Sequence, residues 1–404
     1  MEGNTFKLGN ICRIELGKTP SRSNKKYWDE DKSSNNIWLS IADLPLSIKP
    51  VVVDSKEYIT DEGAALCKMV PKNTLIVSFK LSLGRLAITG CDLYTNEAIA
   101  ALYINENVAL EQDYLYWYLT FFDWDAAAGS DIKVKGKTLN KAKLKEILIP
   151  IPSIPEQKRI VALLDTVFAD LEQTRAKTEQ NLKNARELFD SYLQQIFSQK
   201  GEGWVESKLG DLLHVSSSKR IYAKDWTDSG VPFFGGKEIV KLAKYGKADS
   251  NSFISEEKYM EYASQYDMPQ EGDILMTARG TIGVGYIVRE SDKFYYKDGN
   301  IISLRQKSPT NPDFILYAFK SHKIIDQIKE LTGTTVSHLP LNKAKELVIN
   351  IPSYQVQNEI VLQIKKMEGN VQQVISIYEE KLTSIDELKK SILQKAFSGE
   401  LTHD

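Results

Sequence analysis

The chain has 404 residues, of which 42% are hydrophobic and 26% charged, and its formal net charge is -2. This length suits two or three domains, each with its own core. No apolar run is long enough for a membrane helix, and the near-neutral charge excludes a uniformly basic nucleic-acid-binding protein. Any DNA-contacting surface must therefore be a local patch. The N-terminus has no secretory signal and there are only three cysteines, so we expect a cytoplasmic protein without a membrane role.

An internal repeat with a shift of about 200 residues organises the chain. Residues 7–11 (KLGNI) match residues 208–212 (KLGDL), and each segment opens a domain. Residues 78–84 (SFKLSLG) match residues 277–283 (TARGTIG), and both copies predict a strand, a glycine turn and a returning strand. The other matches are 139–143 with 341–345 (LNKAK), 149–153 (IPIPS) with 349–353 (INIPS), and 187–198 with 387–398.

The middles of the two halves differ more than their ends. Residues 20–75 and 215–270 resemble each other far less than the segments that flank them. A duplication that keeps its frame and changes its middle is expected when two modules do the same job on different targets. The chain is therefore predicted to contain two half-molecules in tandem.

Residues 156–198 and 355–398 predict two long helices, because they contain no proline and a single glycine. Apolar residues recur every seven positions in both, which indicates a coiled-coil seam between them. We predict that the helices pack on each other and act as a spacer; the alternative is a helical hairpin inside one compact domain. The predicted seam is Leu164, Leu171, Ala185 and Tyr192 with Ile364, Val371, Tyr378, Ile385 and Ile392; a second row is predicted at Val167, Leu188, Ile360, Met367, Val374 and Leu388, and Thr174, Thr178 and Asn181 interrupt the first helix.

The repeat, the proline-bounded domain ends, the long helices and the string SGEL at 398–401 together resemble the specificity subunits of type I restriction-modification enzymes. The resemblance covers essentially the whole chain. It implies two α/β (α+β) target-recognition domains in tandem, joined by two long antiparallel coiled-coil helices. The corresponding boundaries are 1–153 for the first target-recognition domain, 154–200 for the first helix, 201–353 for the second domain, and 354–404 for the second helix and tail.

The resemblance also implies the partners. Each domain would read one half of a split site in double-stranded DNA, and the helices would set the gap and dock two modification subunits. Those subunits would bind S-adenosylmethionine and methylate adenine, while restriction subunits would use ATP to translocate and cleave. This chain would itself be non-catalytic and would bind no cofactor.

The sequence offers little support for chemistry of its own. The string NPDF at 311–314 lacks the second proline of an adenine methyltransferase loop and predicts a helix start instead. The string GKT at 136–138 lacks the first glycine of a phosphate loop, and no histidine or cysteine spacing predicts a metal site. The aromatic residues between 114 and 124 have helical spacing and predict core packing.

Candidate DNA-contacting residues are basic and hydroxyl side chains on predicted loops, because such groups reach phosphates and base edges. The candidates are Lys18, Arg22, Lys25 and Lys26 after the first matched segment; Lys219, Arg220 and Lys224 at the corresponding place in the second half; Lys80, Ser82, Arg279 and Thr281 in the matched hairpin; and Lys133, Lys135 and Lys137, which alternate along a predicted extended segment continued by Lys141, Lys143 and Lys145.

Other functions remain open on the sequence alone. The chain could serve a related split-site system, or be an orphan subunit that recombines with a resident partner. From different classes, it could be a stand-alone methyltransferase or nuclease with degenerate motifs, or a coiled-coil scaffold that never binds DNA.

Overall fold

The computed structural model describes residues 4–129, 132–133, 136–137, 139–199, 201–266, 268–332 and 338–400. The chain divides into two units, one formed by Met1–Glu179 with Glu380–Asp404 and the other by Gln180–Glu379. Each unit therefore contains one globular domain and portions of both long helices. Within the described residues, no helix combines the length and the apolar character that crossing a bilayer would need.

The first domain has two main sheets. Its strands are β1 (Asn4–Lys7), β2 (Cys12–Leu16), β3 (Ile37–Leu39), β4 (Val51–Val52), β5 (Glu57–Tyr58), β6 (Met69–Val70), β7 (Leu75–Ser78), β8 (Leu86–Thr89), β9 (Leu93–Thr95), β10 (Ile99–Ile104), β11 (Ile132–Lys133), β12 (Gly136–Lys137) and β13 (Leu148–Ile151). Its helices are α1 (Leu8–Ile11), α2 (Asp61–Ala64), α3 (Gln112–Phe121), α4 (Trp124–Ala128), α5 (Lys141–Lys145) and α6 (Ile154–Ser198).

The central sheet of the first domain has the order β2-β10-β7-β8-β4 and is covered on both faces. Leu75 and Val77 of β7 pack into a core with α3 and the first turns of α6, whereas Ile76 between them packs into a second core with β3. Alternate side chains of a strand point to opposite faces, so a strand buried on both sides reads as a continuous apolar run. The second sheet has the order β5-β3-β9-β6.

The second domain repeats this plan. Its strands are β14 (Val205–Lys208), β15 (Leu213–Ser216), β16 (Trp226–Thr227), β17 (Val231–Phe234), β18 (Phe253–Ile254), β19 (Ile274–Thr277), β20 (Gly285–Ile287), β21 (Tyr295–Tyr296), β22 (Ile301–Gln306) and β23 (Val348–Ile351). Its helices are α7 (Leu209–Leu212), α8 (Gly236–Tyr245), α9 (Glu256–Gln265), α10 (Pro312–Phe319), α11 (His322–Thr332), α12 (Leu341–Glu346) and α13 (Tyr354–Ser398).

The predicted repeat is confirmed at the level of topology. The sheet order β2-β10-β7-β8 in the first domain corresponds to β15-β22-β19-β20 in the second. The parallel pair β3 and β9 corresponds to the parallel pair β17 and β21. In both domains the first and last strands pair antiparallel, β1 with β13 and β14 with β23. This pairing brings the start and the end of each domain together. Each matched opening segment consists of the last residue of a strand, β1 or β14, followed by a single helical turn, α1 or α7.

The aromatic segment and the NPDF string behave as predicted. Tyr114 and Trp117 of α3 are fully buried in the first core, and Phe314 of α10 is buried in the second. Pro312 occupies the first turn of α10, where its missing N–H costs nothing, and the Asn311 side chain caps the helix. These segments therefore support the cores of the two domains.

Each long helix is attached to its own domain through a buried glutamine in its first turn. The Gln157 carbonyl accepts a hydrogen bond from the Glu111 N–H at 2.8 Å, and its amide donates to the carbonyls of Ala109 and Pro152, both at 2.9 Å. Gln357 repeats the arrangement in the second unit, accepting from the Asn311 N–H and donating to the Pro352 carbonyl. Buried polar groups with complete hydrogen bonds fix one geometry, so these residues set how each helix leaves its domain.

The two long helices pack antiparallel in the first unit. Arg175 pairs with Asp386 and Glu172 with Lys389, so positions rise on one helix as they fall on the other. The hydrogen bond from Arg175 lowers the pKa of the Asp386 carboxyl, and burial opposes this effect. In the second unit, Arg186 pairs with Glu379 at 3.0 Å.

The residues of the predicted seam are buried or half-buried in both helices. Leu164 and Leu171 recur in α6 and are buried and half-buried, respectively. Thr178, predicted to interrupt the seam, is buried, and its hydroxyl donates to the Thr174 carbonyl. The remaining seam residues are buried at Ala185, Ile364, Val371 and Ile385 and half-buried at Tyr192, Tyr378 and Ile392.

The predicted second row is wrong at Leu188 in α6 and in the distal part of α13, because Leu188 is 52% exposed, Val374 39% and Leu388 47%. Less exposed side chains lie one residue later, at Ile375 and Lys389. A heptad pattern alone leaves open whether the second row lies three or four residues before the first. The lysine at 389 weakened the apolar signal of the true row, and its amine is instead paired with Glu172.

We predict that Gln157→Leu loosens the attachment of α6 to the first domain. The substitution leaves the Glu111 N–H and two carbonyls without partners, and each such buried group costs roughly 1–3 kcal/mol. Hydrogen exchange measured by mass spectrometry on the full chain should show the peptide containing Glu111 exchanging roughly tenfold faster or more. The matched control is Gln173→Leu, at an exposed position further along the same helix. Equal exchange in both variants would show that the glutamine is not an anchor.

Candidate nucleic-acid interface

The first basic run follows β2 and is exposed, but its members have different environments. The Arg22 guanidinium forms a two-pronged ion pair with Glu57 and lies over the ring of Trp28, 3.8 Å from its centroid. It is also 4.7 Å from the centroid of Trp38, whose indole donates to the Lys18 carbonyl. Such stacking and pairing hold an arginine in place. Arg22 is thus fixed in the fold of the first domain.

The lysines of this run are less engaged in contacts within the domain than Arg22 is. Lys25 and Lys26 lie in a short 3-10 turn, Lys25–Tyr27, which the Asn24 side chain caps by accepting from the Lys26 N–H. The Lys26 amine is 5.3 Å from the centroid of the Tyr27 ring. Lys18 and Lys25 are exposed, and no ion pair is found for either amine within the described parts of the chain.

The second basic run follows β15 and also consists of an arginine paired with an acid and exposed lysines. Arg220 pairs with Asp298 at 2.9 Å, and the Lys219 amine lies 5.4 Å from the centroid of the Tyr266 ring. Lys224 is exposed in the 3-10 turn Ala223–Asp225. In both domains the arginine of the run is paired with an acid, whereas exposed lysines remain around it.

The matched hairpin is present in both domains and contains four of the residues predicted to contact DNA. It joins β7 to β8 and β19 to β20. The Ser78 hydroxyl donates to the Ser82 carbonyl, and the Thr277 hydroxyl donates to the Thr281 carbonyl, so the same internal hydrogen bond shapes both tips. Arg279 and Thr281 are exposed, whereas Lys80 and Ser82 are half-buried. The Lys80 amine lies 5.3 Å from the centroid of the Phe79 ring.

The hairpin tips differ at one backbone position. Leu81 has a φ of 65° and its counterpart Gly280 a φ of 74°. Glycine adopts this left-handed conformation without steric cost, but for leucine it costs about 1–2 kcal/mol. Leu81 is also 50% exposed. The first domain therefore holds an apolar side chain at a strained, exposed tip where the second has none.

The predicted extended lysine segment is not one strand. Ile132–Lys133 and Gly136–Lys137 pair antiparallel, so the chain turns back between them. Lys135 lies outside the described residues, and the side-chain placements of Lys133 and Lys137 are likewise not described. The predicted continuation through Lys141, Lys143 and Lys145 is wrong, because α5 begins at Lys141 after the Asn140 cap. Asn140 at this N-cap favours a helix over a strand.

Sequence reasoning missed a basic helix in the second domain. Lys237, Lys241 and Lys244 are exposed along one side of α8, while Ile239 and Leu242 are buried on the other. The lysine spacing of four and three residues is an amphipathic signal. It lay in the segment 215–270, where the two halves differ and the repeat gave no guidance.

The described residues contain no cluster of three or more histidine, cysteine, aspartate or glutamate side chains suited to a metal ion. The three cysteines are free, and Cys12 is buried, which raises the pKa of its thiol to about 12. A thiol with such a pKa stays protonated and unreactive at neutral pH.

The comparisons with known proteins agree with this geometry. The pattern of the type I restriction modification DNA specificity domain matches residues 2–182 and again residues 201–386. A putative type I restriction enzyme specificity subunit of Haemophilus influenzae is 30% identical over 271 residues, which is 66% of this chain and 66% of that protein. The type I restriction enzyme MjaIX specificity subunit of Methanocaldococcus jannaschii is 24% identical over 98% of this chain and 92% of its own.

Solved structures share the fold. A chain from a type I R-M system superimposes with a TM-score of 0.75 at 18% identity, covering 98% of both chains. The HsdS subunit of Thermoanaerobacter tengcongensis gives a TM-score of 0.61 at 16% identity, over 98% of this chain and 96% of that subunit. With both halves matched, the chain belongs to the family of type I restriction-modification DNA specificity proteins.

Proposed function

We propose that this chain is the sequence-reading subunit of a type I restriction-modification enzyme, in which each target-recognition domain reads one half of a bipartite DNA site. The observation that carries the proposal is a duplicated domain frame with dissimilar middles. Specificity subunits of type I systems are non-catalytic, bind DNA and assemble with the other subunits of the enzyme. Selection of a target is therefore the contribution expected of this chain.

The proposal extends to the partners. Two modification subunits would dock on the paired helices, bind S-adenosylmethionine and methylate adenine, and restriction subunits would use ATP. The four segments 1–153, 154–200, 201–353 and 354–404 would act as reader, spacer, reader and spacer. Support comes from the buried Gln157 and Gln357, which give each helix a fixed exit from its own domain.

A genome-wide map of adenine methylation tests this function. Hosts would carry the chain with the modification subunit of its own operon, and control hosts would lack only this chain. A new two-part motif with a fixed gap is the expected result. Methylation without such a motif, from a complex shown to assemble, would contradict the proposal.

We predict that exchanging residues 1–150 for those of another specificity subunit changes one half of the methylated motif and leaves the other half intact. Each domain has its own sheets and its own core, so its reading surface should travel with it. Methylation sequencing provides the measurement, and the reciprocal exchange in the second domain is the control. A change in both halves would exclude independent readers.

We predict that adding one heptad to both α6 and α13 lengthens the gap between the half-sites. Seven helical residues add about 10 Å, which corresponds to roughly three base pairs of duplex. The control adds three residues to both helices. This insertion also lengthens the helices but breaks the heptad register of the seam. An unchanged gap in the heptad variant, again determined by methylation sequencing, would show that the helices are not the spacer.

We predict that the two kinds of cation in the first basic run have separable roles. Arg22→Ala should lower the free energy of unfolding, by about 1–2 kcal/mol, because it removes the Glu57 pair and the stacking on Trp28. Lys25→Ala should leave unfolding unchanged and weaken DNA binding, with a shallower salt dependence. Urea unfolding and fluorescence anisotropy measure the two effects. Equal stability of both variants would contradict the structural role of Arg22.

A further inference from the structure

The second domain contains an open cleft of about 620 Å³ between α8 and the tip of the β19–β20 hairpin. Its lining residues include no acidic side chain. Its lining side chains, besides Val240, are three cations and three neutral hydrogen-bonding groups: Lys237, Lys241, Arg279, Thr277, Thr281 and Asn300. The cleft is therefore built for a negatively charged ligand that also offers hydrogen-bonding edges.

The cations of this cleft differ from many others in the second domain. Arg220 pairs with Asp298, Lys293 with Glu256, and Arg305 with the buried Asp273. Over the described part of the chain, no ion pair is found for Lys237, Lys241 or Arg279, and all three are exposed. Cations without an acidic partner keep their full attraction for phosphate.

Helix α8 has the form needed to enter a groove of DNA. It has ten residues, and Ile239 and Leu242 fix one face to the domain while the lysine face remains open. A helix with its side chains is about 10–12 Å wide, and the major groove is about 12 Å wide. The hairpin tip beside it contributes Arg279, whose guanidinium can make paired hydrogen bonds to guanine.

The described residues of the first domain contain no helix equivalent to α8. The chain after β3, which corresponds to β17, forms only the 3-10 turn Ile41–Asp43. Asp43 is bound there by the Ser40 hydroxyl at 2.6 Å and places an acid beside the turn. Helix α8 therefore distinguishes the second domain and lies in the segment that the repeat does not preserve, whereas Arg279 and Thr281 of the cleft belong to the matched hairpin.

We propose that α8 and the β19–β20 tip form the DNA-reading cleft of the second domain. Lys237 and Lys241 contact phosphates, and Arg279 and Asn300 contact base edges in the major groove. This inference rests on the proposed function, because it assigns the reader of one half-site. It also predicts that the first domain reads its half-site without a recognition helix.

The test uses the full chain assembled with the modification subunits of its operon. The probes are a duplex carrying the motif found by methylation sequencing and a duplex of the same length lacking it. Lys237→Gln/Lys241→Gln should weaken binding at least about tenfold and reduce the slope of log affinity against log salt by about two. Lys237→Arg/Lys241→Arg should retain binding, and Lys329→Gln on α11 is the matched surface control.

A second variant separates base recognition by Arg279 from its positive charge. Arg279→Lys keeps the charge but loses the planar pair of donors, so methylation should relax at one position of a single half-motif while the other half stays unchanged. Wild-type binding and motif in both the glutamine and the Arg279→Lys variants would overturn the inference and leave the proposed function standing. Altered methylation in the first domain's half-motif would also overturn it. A wild-type complex without any two-part motif would instead reject the proposed function.

Discussion

One buried amide in the first turn of each long helix fixes the direction in which that helix leaves its domain. Gln157 and Gln357 lie in the first helical turn, where both the donor and the acceptor of the side chain are occupied by main-chain groups. An amide buried without partners would cost several kcal/mol, so the only stable position is the one that makes all these bonds. A polar group in an apolar environment thus fixes the helix direction more sharply than apolar packing could.

A second contact farther along each helix reinforces this direction with different chemistry. The Trp117 indole donates to Asp165 at 2.7 Å in the first unit, and the Tyr317 hydroxyl donates to Glu368 at 2.7 Å in the second. Burial and the hydrogen bond to Glu368 raise the pKa of Tyr317. The donors Trp117 and Tyr317 are at equivalent positions in the two domains, whereas the acceptor lies 8 residues after Gln157 in the first half and 11 residues after Gln357 in the second.

The sequence predicted the order of the domains and long helices because matching segments occur in both halves of the chain. The hairpin at 78–84 was recognised from its match at 277–283, and both long helices are within two residues of their predicted starts. Errors arose where local pattern was the only guide. Three alternating lysines suggested a strand because alternation carries no information on where the chain turns. The second seam row was misplaced because Lys389 occupies a seam position and satisfies its charge with Glu172 on the other helix.

Candidate contacts were harder to predict, because a basic residue looks the same in sequence whether it builds the fold or faces a ligand. Arg22 and Arg220 belong to the two basic runs, yet each is paired with an acid from a distant part of the chain, Glu57 and Asp298. Their charges are therefore largely cancelled within their own domains. Lys237 and Lys241, for which the described residues supply no ion pair, lie in the segment that differs between the halves. A two-target reader needs this division, since a paired arginine stabilises the same domain on every DNA, whereas an unpaired cation on a variable helix can change its target without disturbing the core.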